Sequence, residues 1–152
     1  MIRKGNRLLN IEISNGADSL VLFVKNYLHT MKRIKSQKYY LFSDKYFQGF
    51  IKFLREKSYI INVFDKKNKI QNSMILLING VFAHYHLSGR SSDCTINASN
   101  NFMLDEAIKF AQSKNCKFFH LGGGNTSASK DELFKYKSNF SSSNLNFFTG
   151  FK

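Results

Sequence analysis

Val81-Phe82-Ala83-His84-Tyr85-His86-Leu87 opens the stretch that decides the fold, and Lys117-Phe118-Phe119-His120-Leu121 closes it. Both are short apolar runs with β-forming residues, and both read as strands. Between them lies a polar loop, Ser88 to Asn97. A helix follows over about 98–114, with Phe102, Met103, Ala107, Phe110 and Ala111 at helical spacing. A strand, a helix and a second strand form a crossover unit, so the two strands are expected to run parallel. Upstream, Ser58–Phe64 and Ile70–Ile78 flank the polar turn Asp65-Lys66-Lys67-Asn68, and Asn79-Gly80 leads into the quoted strand. These signals predict a three-stranded antiparallel meander over 58–87.

Working outward, residues 17–35 read as a helix carrying Leu20, Phe23, Val24, Tyr27, Leu28 and Met31 on one side. A second helix covers about 44–56, with Tyr46, Phe47, Phe50, Phe53 and Leu54. Downstream, Gly122-Gly123-Gly124-Asn125 reads as a flexible loop. Ser129-Lys130-Asp131-Glu132 has the form of a capping box and starts a short helix to about Asn139. Asn144–Phe151 reads as a last strand. The whole is an α/β (α+β) domain: a mixed, mostly antiparallel sheet with one parallel pair at its centre and helices on both faces.

The chain of 152 residues fits a single domain, 1–152, in which about 1–16 forms an N-terminal strand or linker. Its 43% hydrophobic content argues against disorder. The net charge of +13 favours anionic partners: a nucleotide, a phosphorylated sugar carrier, tRNA or an anionic membrane surface. The basic residues are spread along the chain, and the abundance of Lys, Asn, Ile and Phe also fits an AT-rich coding sequence. No apolar run approaches the roughly 20 residues that span a bilayer. Met1–Asn6 is basic with no apolar stretch behind it, so no secretory signal is expected. The expected location is cytoplasmic, extending to the inner face of the membrane. Cys94 and Cys116 are expected to be free thiols. No metal is expected, because His84 and His86 have no third ligand at metal-binding spacing.

Four local motifs carry a family resemblance. Tyr27-Leu28-His29-Thr30-Met31-Lys32-Arg33, followed by Tyr39-Tyr40 and Tyr46-Phe47, looks like the start of the second domain of FemAB-like proteins. His84-Tyr85-His86-Leu87-Ser88-Gly89 is similar to that domain's central strand and following loop. Phe119-His120-Leu121-Gly122-Gly123-Gly124 resembles its strand ending in a glycine-rich loop. Leu133-Phe134-Lys135-Tyr136-Lys137-Ser138-Asn139-Phe140 resembles its leucine and aromatic-Lys helix. These stretches occur in the family's order and cover roughly residues 20 to 151. The resemblance is to the C-terminal GNAT domain of FemAB-like acyltransferases, which usually contain two such domains. It implies a GNAT-like sheet whose central parallel strands splay apart. It also implies transfer of an acyl group to an amine of a cell-envelope sugar or peptide precursor, from an acyl-CoA such as acetyl-CoA or from an aminoacyl-tRNA. The partner implied is a missing N-terminal GNAT domain, or a second copy of the chain.

Acyl transfer to an amine needs a held donor, a neutral amine and a stabilised oxyanion. Ser88, Gly89 and Arg90 lead toward the helix that begins near Ala98. Small residues there permit close backbone approach, and Arg90 can pair with phosphate. The usual GNAT pyrophosphate motif is absent, since no glycines follow Arg90. Gly122, Gly123 and Gly124 suit a tight turn or a close approach to donor. By resemblance, Lys137 takes the place of the family's lysine after an aromatic and supplies charge at the donor or the oxyanion. Tyr136 packs beside the donor on the same reading, or belongs to the core. His84 and His86 fall on one side of their strand. Either His86 takes the acceptor's proton and His84 orients the acceptor, or both are sheet-surface histidines. Arg33 and Tyr40 are candidates for acceptor phosphate. Two other functions fit the residues. One is a basic, non-catalytic module binding nucleic acid or a partner domain. The other is an inactive C-terminal fragment of a two-domain enzyme.

Overall fold

A computed structural model describes residues 1–15, 17–124 and 131–145 of the chain. It divides into two compact units, Met1–His120 and Leu121–Lys152.

In the first unit the elements are α1 (Ile2–Leu8), β1 (Leu9–Ser14), α2 (Ala17–Arg33), α3 (Asp44–Leu54), β2 (Ser58–Asp65), β3 (Ile70–Asn79), β4 (Phe82–Arg90), α4 (Ser99–Ser113) and β5 (Phe118–His120). Single 3₁₀ turns cover Lys38–Tyr40 and Arg55–Lys57. The sheet order is β1-β2-β3-β4-β5. Strands β1 to β4 pair antiparallel with one another in sequence, and β4 and β5 are parallel. The mixed sheet with its parallel pair is therefore the one expected.

Two details differ from the sequence reading. Residues 1–16, expected as a strand or linker, begin with a helix, and β1 pairs with β2 from Leu9↔Asp65 to Ser14↔Ile60. Strand β4 does not stop at Leu87. Gly89 and Arg90 stay in register with Ser73 and Asn72, so the loop starts only at Ser91. The expected strand Asn144–Phe151 lies mostly outside the described residues, and Asn144 and Leu145 are not in a strand.

The turn between β3 and β4 is the tight one expected. Gly80 takes φ 59°, and Asn79 and Phe82 pair on either side of it. A left-handed first residue is what a two-residue hairpin turn of matching twist needs, and glycine adopts it without a steric cost.

Alternation along the strands sorts the core into two layers. Under α2 and α3 lie Ile60 and Ile75, packed with Leu20, Phe23, Tyr27 and Phe47. The Tyr27 ring stacks on Phe23 and meets Phe47 edge-on, with centroids 5.7 and 5.6 Å away. Ile61, Val63, Met74 and Leu76 are fully buried on the opposite face, where α4 adds Phe102, Met103, Leu104 and Ala107. Each such side chain contributes roughly 1.5–3 kcal/mol through burial.

A buried polar chain ties α2 across the sheet. Asn26 Nδ2 donates to Ser73 Oγ at 2.8 Å, and Ser73 Oγ donates to Asn62 Oδ1 at 2.7 Å. Asn62 Nδ2 in turn donates to the carbonyl of Ser19 at 3.4 Å. Because each buried polar group has a partner, the chain fixes where α2 crosses the strands without an unmet desolvation cost.

The second unit contains α5 (Glu132–Ser138). Its N-cap is Asp131, whose carboxylate accepts from the backbone N–H of Phe134 at 2.8 Å. The capping box expected from Ser129 is thus displaced: aspartate is as strong an N-cap as serine and stands directly before the first helical residue. Ser129 and Lys130 lie outside the described residues.

Candidate active site where two strands part

Strand β4 is bordered unequally. Toward β3 it pairs from Phe82 to Arg90, and toward β5 only at Phe82, Ala83 and His84, opposite Phe118, Phe119 and His120. Past His84 no strand among the described residues lies on its β5 side. A bulge accompanies the change. Leu76 pairs with Tyr85 and Ile75 with Leu87, so His86 is an extra residue in β4. A bulge bends its strand and raises its twist, which turns the strand away from its neighbour.

The far end of this edge is already covered. The Thr30 hydroxyl accepts from the N–H of Arg90 at 2.7 Å and donates to its carbonyl at 3.2 Å. That leaves Tyr85 to Gly89, a row of backbone donors and acceptors suited to an extended ligand with amide groups.

Three imidazoles mark the point of parting. His84 Nδ1 and His120 Nδ1 are 2.8 Å apart. One ring must carry the shared hydrogen and the other accept it. Protonating the donor ring at its other nitrogen gives an imidazolium held by a charge-assisted bond, so the pair can take up one proton without breaking. The His86 ring lies 5.8 Å from that of His84 and stacks flat on Phe50 of α3, with centroids 5.0 Å apart. Its Nε2 is buried and has no hydrogen-bond partner among the described residues. Burial pushes the His86 imidazole below its ordinary pKa and keeps it neutral. His84 and His86 therefore share one face, as the alternation implied. His120 was not among the residues picked out as functional. Only the parallel register, which sets His120 opposite His84, reveals it.

The remaining sites read from the sequence fall as follows. The Ser88 hydroxyl is hydrogen-bonded to the buried Tyr85 hydroxyl. Gly89 is buried beneath α2, and a Cβ there would collide with the backbone of Asn26 and Tyr27. Its lack of a side chain thus admits the helix. Arg90 is exposed, and its Nη2 donates to Asn97 Oδ1 at 3.2 Å. Arg33 is exposed at the end of α2. Tyr40 is exposed in the 3₁₀ turn Lys38–Tyr40, and its carbonyl accepts from the Tyr27 hydroxyl at 2.9 Å.

The segment from Ser91 to Asn97 is held from below by Gln71, which is fully buried. Its side-chain oxygen accepts from the N–H groups of Thr95 and Ile96 at 3.0 and 3.2 Å. Its backbone carbonyl accepts from Ser91 at 2.9 Å. Sequence reasoning missed this residue, because a glutamine inside an apolar strand reads as one more exposed position.

In the second unit, Lys137 is only 7% exposed. Its Nζ donates to the carbonyl of Gly123 at 2.8 Å. Burial pushes its pKa down, and the Asp131 carboxylate opposes that shift. The Asp131 carboxylate occupies the space where a Cβ on Gly124 would stand. Gly122 takes φ 76°, a left-handed conformation that favours glycine. The Tyr136 ring is half-buried and meets Phe140 edge-on at 5.6 Å. Lys137 and Asp131 thus grip the glycine segment from both of its last residues.

Comparison with solved structures follows this geometry. The chain aligns over 95% of its length, and 97% of the other, with a possible acetyltransferase from Clostridium difficile 630 (TM-score 0.71, 11% identity). It has the GNAT fold. An aminoglycoside acetyltransferase from an uncultured soil metagenomic sample aligns over 97% of this chain and 99% of its own (TM-score 0.64, 13% identity). FemX aligns over 91% of this chain but only 50% of its own length (TM-score 0.73, 13% identity). No protein-family model matches the sequence, and no curated protein matches it. Among the described residues no helix is long and apolar enough to cross a membrane.

Proposed function

We propose that the protein is an N-acyltransferase that takes its acyl group from acyl-CoA. The observation that carries this reading is the edge of β4 from Tyr85 to Gly89, which no strand among the described residues pairs beyond the His84–His120 pair. An extended thioester donor with amide groups along its length would bond to that edge as an added strand. The acyl carbon would then lie near the imidazoles.

In this reading the amine attacks the thioester carbonyl, the new N–C bond forms, and the C–S bond breaks to release CoA thiolate. The amine proton passes to the His84–His120 pair, which stabilises the resulting imidazolium between two rings. Neutral His86 accepts a hydrogen bond from the acceptor. General-base catalysis of this kind contributes about 10²–10⁴-fold. Acetyl-CoA is the donor we favour; the structural neighbours lend no support to aminoacyl-tRNA. The acceptor we propose is an amino group of an envelope sugar or peptide precursor. The match to half of FemX supports a partner domain that completes the acceptor site.

The test is release of free thiol from acetyl-CoA with a panel of amines: aminoglycosides, amino-sugar phosphates and peptides. Amine-dependent release that is lost in His84→Gln supports the reading. Its absence with every amine, in a protein that binds acetyl-CoA, would point to the half-enzyme reading. Absence of acetyl-CoA binding would remove the acyl-CoA reading altogether.

A further inference from the structure

The outer surface of α3 and of the turn before it is apolar and basic at once. On α3, Phe47 is buried, and Ile51 and Leu54 are half-buried beside it. Helical spacing puts Tyr46, Phe50 and Phe53 at i, i+4 and i+7 on the next stripe, and Lys45 and Lys52 on the one beyond. Asp44 and Gln48 stand on the other flank. Phe53 is 91% exposed, and Tyr46 is exposed as well. The aromatic stripe does not end with the helix. Tyr46 stacks on Phe42 at 4.2 Å, Phe42 meets Tyr39 at 6.0 Å, and Tyr39 meets Tyr40 at 5.3 Å. Tyr39 is 75% exposed, Leu41 nearby is exposed, and so is Ile34 just past the end of α2. Lys35 and Lys38 are exposed in the same stretch. Among the described residues no ion pair engages Lys35, Lys38, Lys45 or Lys52.

We infer that this surface docks on an anionic lipid bilayer. Single exposed apolar residues are ordinary on a protein surface, whereas a joined row of them marks an interaction site. A helix that lies in a membrane interface has this make-up: apolar rings that enter the headgroup layer, and lysines beside them. The lysine stems lie along the layer while their ammonium groups meet lipid phosphates, and each tyrosine keeps its hydroxyl at the wet end of an apolar ring. Charge selects the kind of bilayer, because each lysine near an anionic surface is attracted to it and a neutral surface offers no such pull. The side chains favour lipid over single-stranded nucleic acid. Ile34 and Leu41 offer a base no ring to stack on, and Phe42 and Tyr46 already stack on one another. The inner end of the row is Phe50, stacked on His86, so the docked face would border the candidate site. Docking does not depend on the acyltransferase reading.

The probes are vesicles of equal parts phosphatidylcholine and phosphatidylglycerol, and vesicles of phosphatidylcholine alone, sedimented with the whole chain and with three double variants. Lys45→Gln/Lys52→Gln removes charge from the patch, Tyr39→Ser/Phe53→Ser removes rings, and Lys4→Gln/Arg7→Gln removes the same charge from α1. All these side chains are exposed, so the variants keep the fold; far-ultraviolet circular dichroism checks this. The wild-type chain is expected to sediment with the anionic vesicles and not with the neutral ones, and to be released as salt rises. Binding should weaken roughly tenfold or more in each patch variant, and by no more than about threefold in the α1 variant. No binding to anionic vesicles would overturn the inference. So would equal losses in the two charge variants, which would leave only the net charge of +13 as the cause, or a ring variant that binds like wild type. Two other occupants are tested in the same series, and either would overturn it. A single-stranded oligonucleotide held less tightly by the patch variants, with no vesicle binding, gives the surface to nucleic acid. A dimer in sedimentation equilibrium that the ring variant breaks, again with no vesicle binding, gives it to a second copy of the chain. No acyl donor is present in these assays, so their failure leaves the acyltransferase reading standing.

Discussion

The two edges of β4 are built on opposite terms. Toward β3 the strand is paired along its whole length, and its side chains enter both core layers. Toward β5 it makes three residue pairs, and past them no strand among the described residues pairs with it. The paired edge gives the strand its stability, so the other edge can be left open without loss of the fold. His86 separates the two regimes, since the extra residue lets the strand keep its β3 partner while turning from β5. An open edge normally invites aggregation. Here it is short, and Thr30 closes its end at Arg90.

Substitutions at the two edges should therefore fail in different ways. The largest effect is expected at the parting point. His84→Gln should lower kcat/KM about 10²-fold or more, with unfolding unchanged, and His120→Gln should lower it less, in steady-state thiol-release assays. A loss of stability instead would make the pair structural. Next comes the packed side. Gly89→Ala forces a methyl against the backbone of α2, which cannot move aside as a side chain would, and should cost about 3 kcal/mol in urea unfolding. Thr30→Val removes the hydroxyl that serves both polar groups of Arg90, at an expected cost of about 1 kcal/mol. It should also lengthen the open edge, visible as faster amide exchange at Arg90.

The pH response is smaller again. Folding lowers the pKa of His86 below its ordinary value of 6.5. Below that value the unfolded chain binds a proton that the folded one refuses, so stability is complete above about pH 6.5 and falls as the pH drops. His86→Phe should keep the stack on Phe50 and flatten the decline, as followed by thermal unfolding between pH 7 and 5. Arg33→Ala, on an exposed helix end, should shift stability by no more than about 0.5 kcal/mol.

What was legible in the sequence follows from the range of each signal. The Asn79-Gly80 turn, the helical spacing of Phe23 and Tyr27, and that of Phe47 and Phe50 are local patterns, and the elements they predict are present. The parallel pair followed from the strand-helix-strand order, which makes a crossover. The bulge at His86 leaves no local mark, because it exists only as a mismatch between two strands. His120 was visible as a residue but not as a partner of His84, since that needs the register of β5. Gly89 was read as room for a ligand, and the room is taken by α2. Lys137 was read as a charge for the reaction, yet its ammonium is bound to the Gly123 carbonyl. A lysine's sequence neighbours do not reveal which carbonyl it meets. Gln71 was passed over because its partners lie some twenty residues on, in the loop it supports.

The central claim is that the open edge of β4 receives the donor. Backbone amide NMR during an acetyl-CoA titration tests it most directly. The account predicts saturable one-to-one binding, with the largest shifts confined to Tyr85–Gly89 and the Ser91–Asn97 loop, and small shifts along β1 and β2. Binding with its shifts elsewhere, or no binding at all, would contradict it.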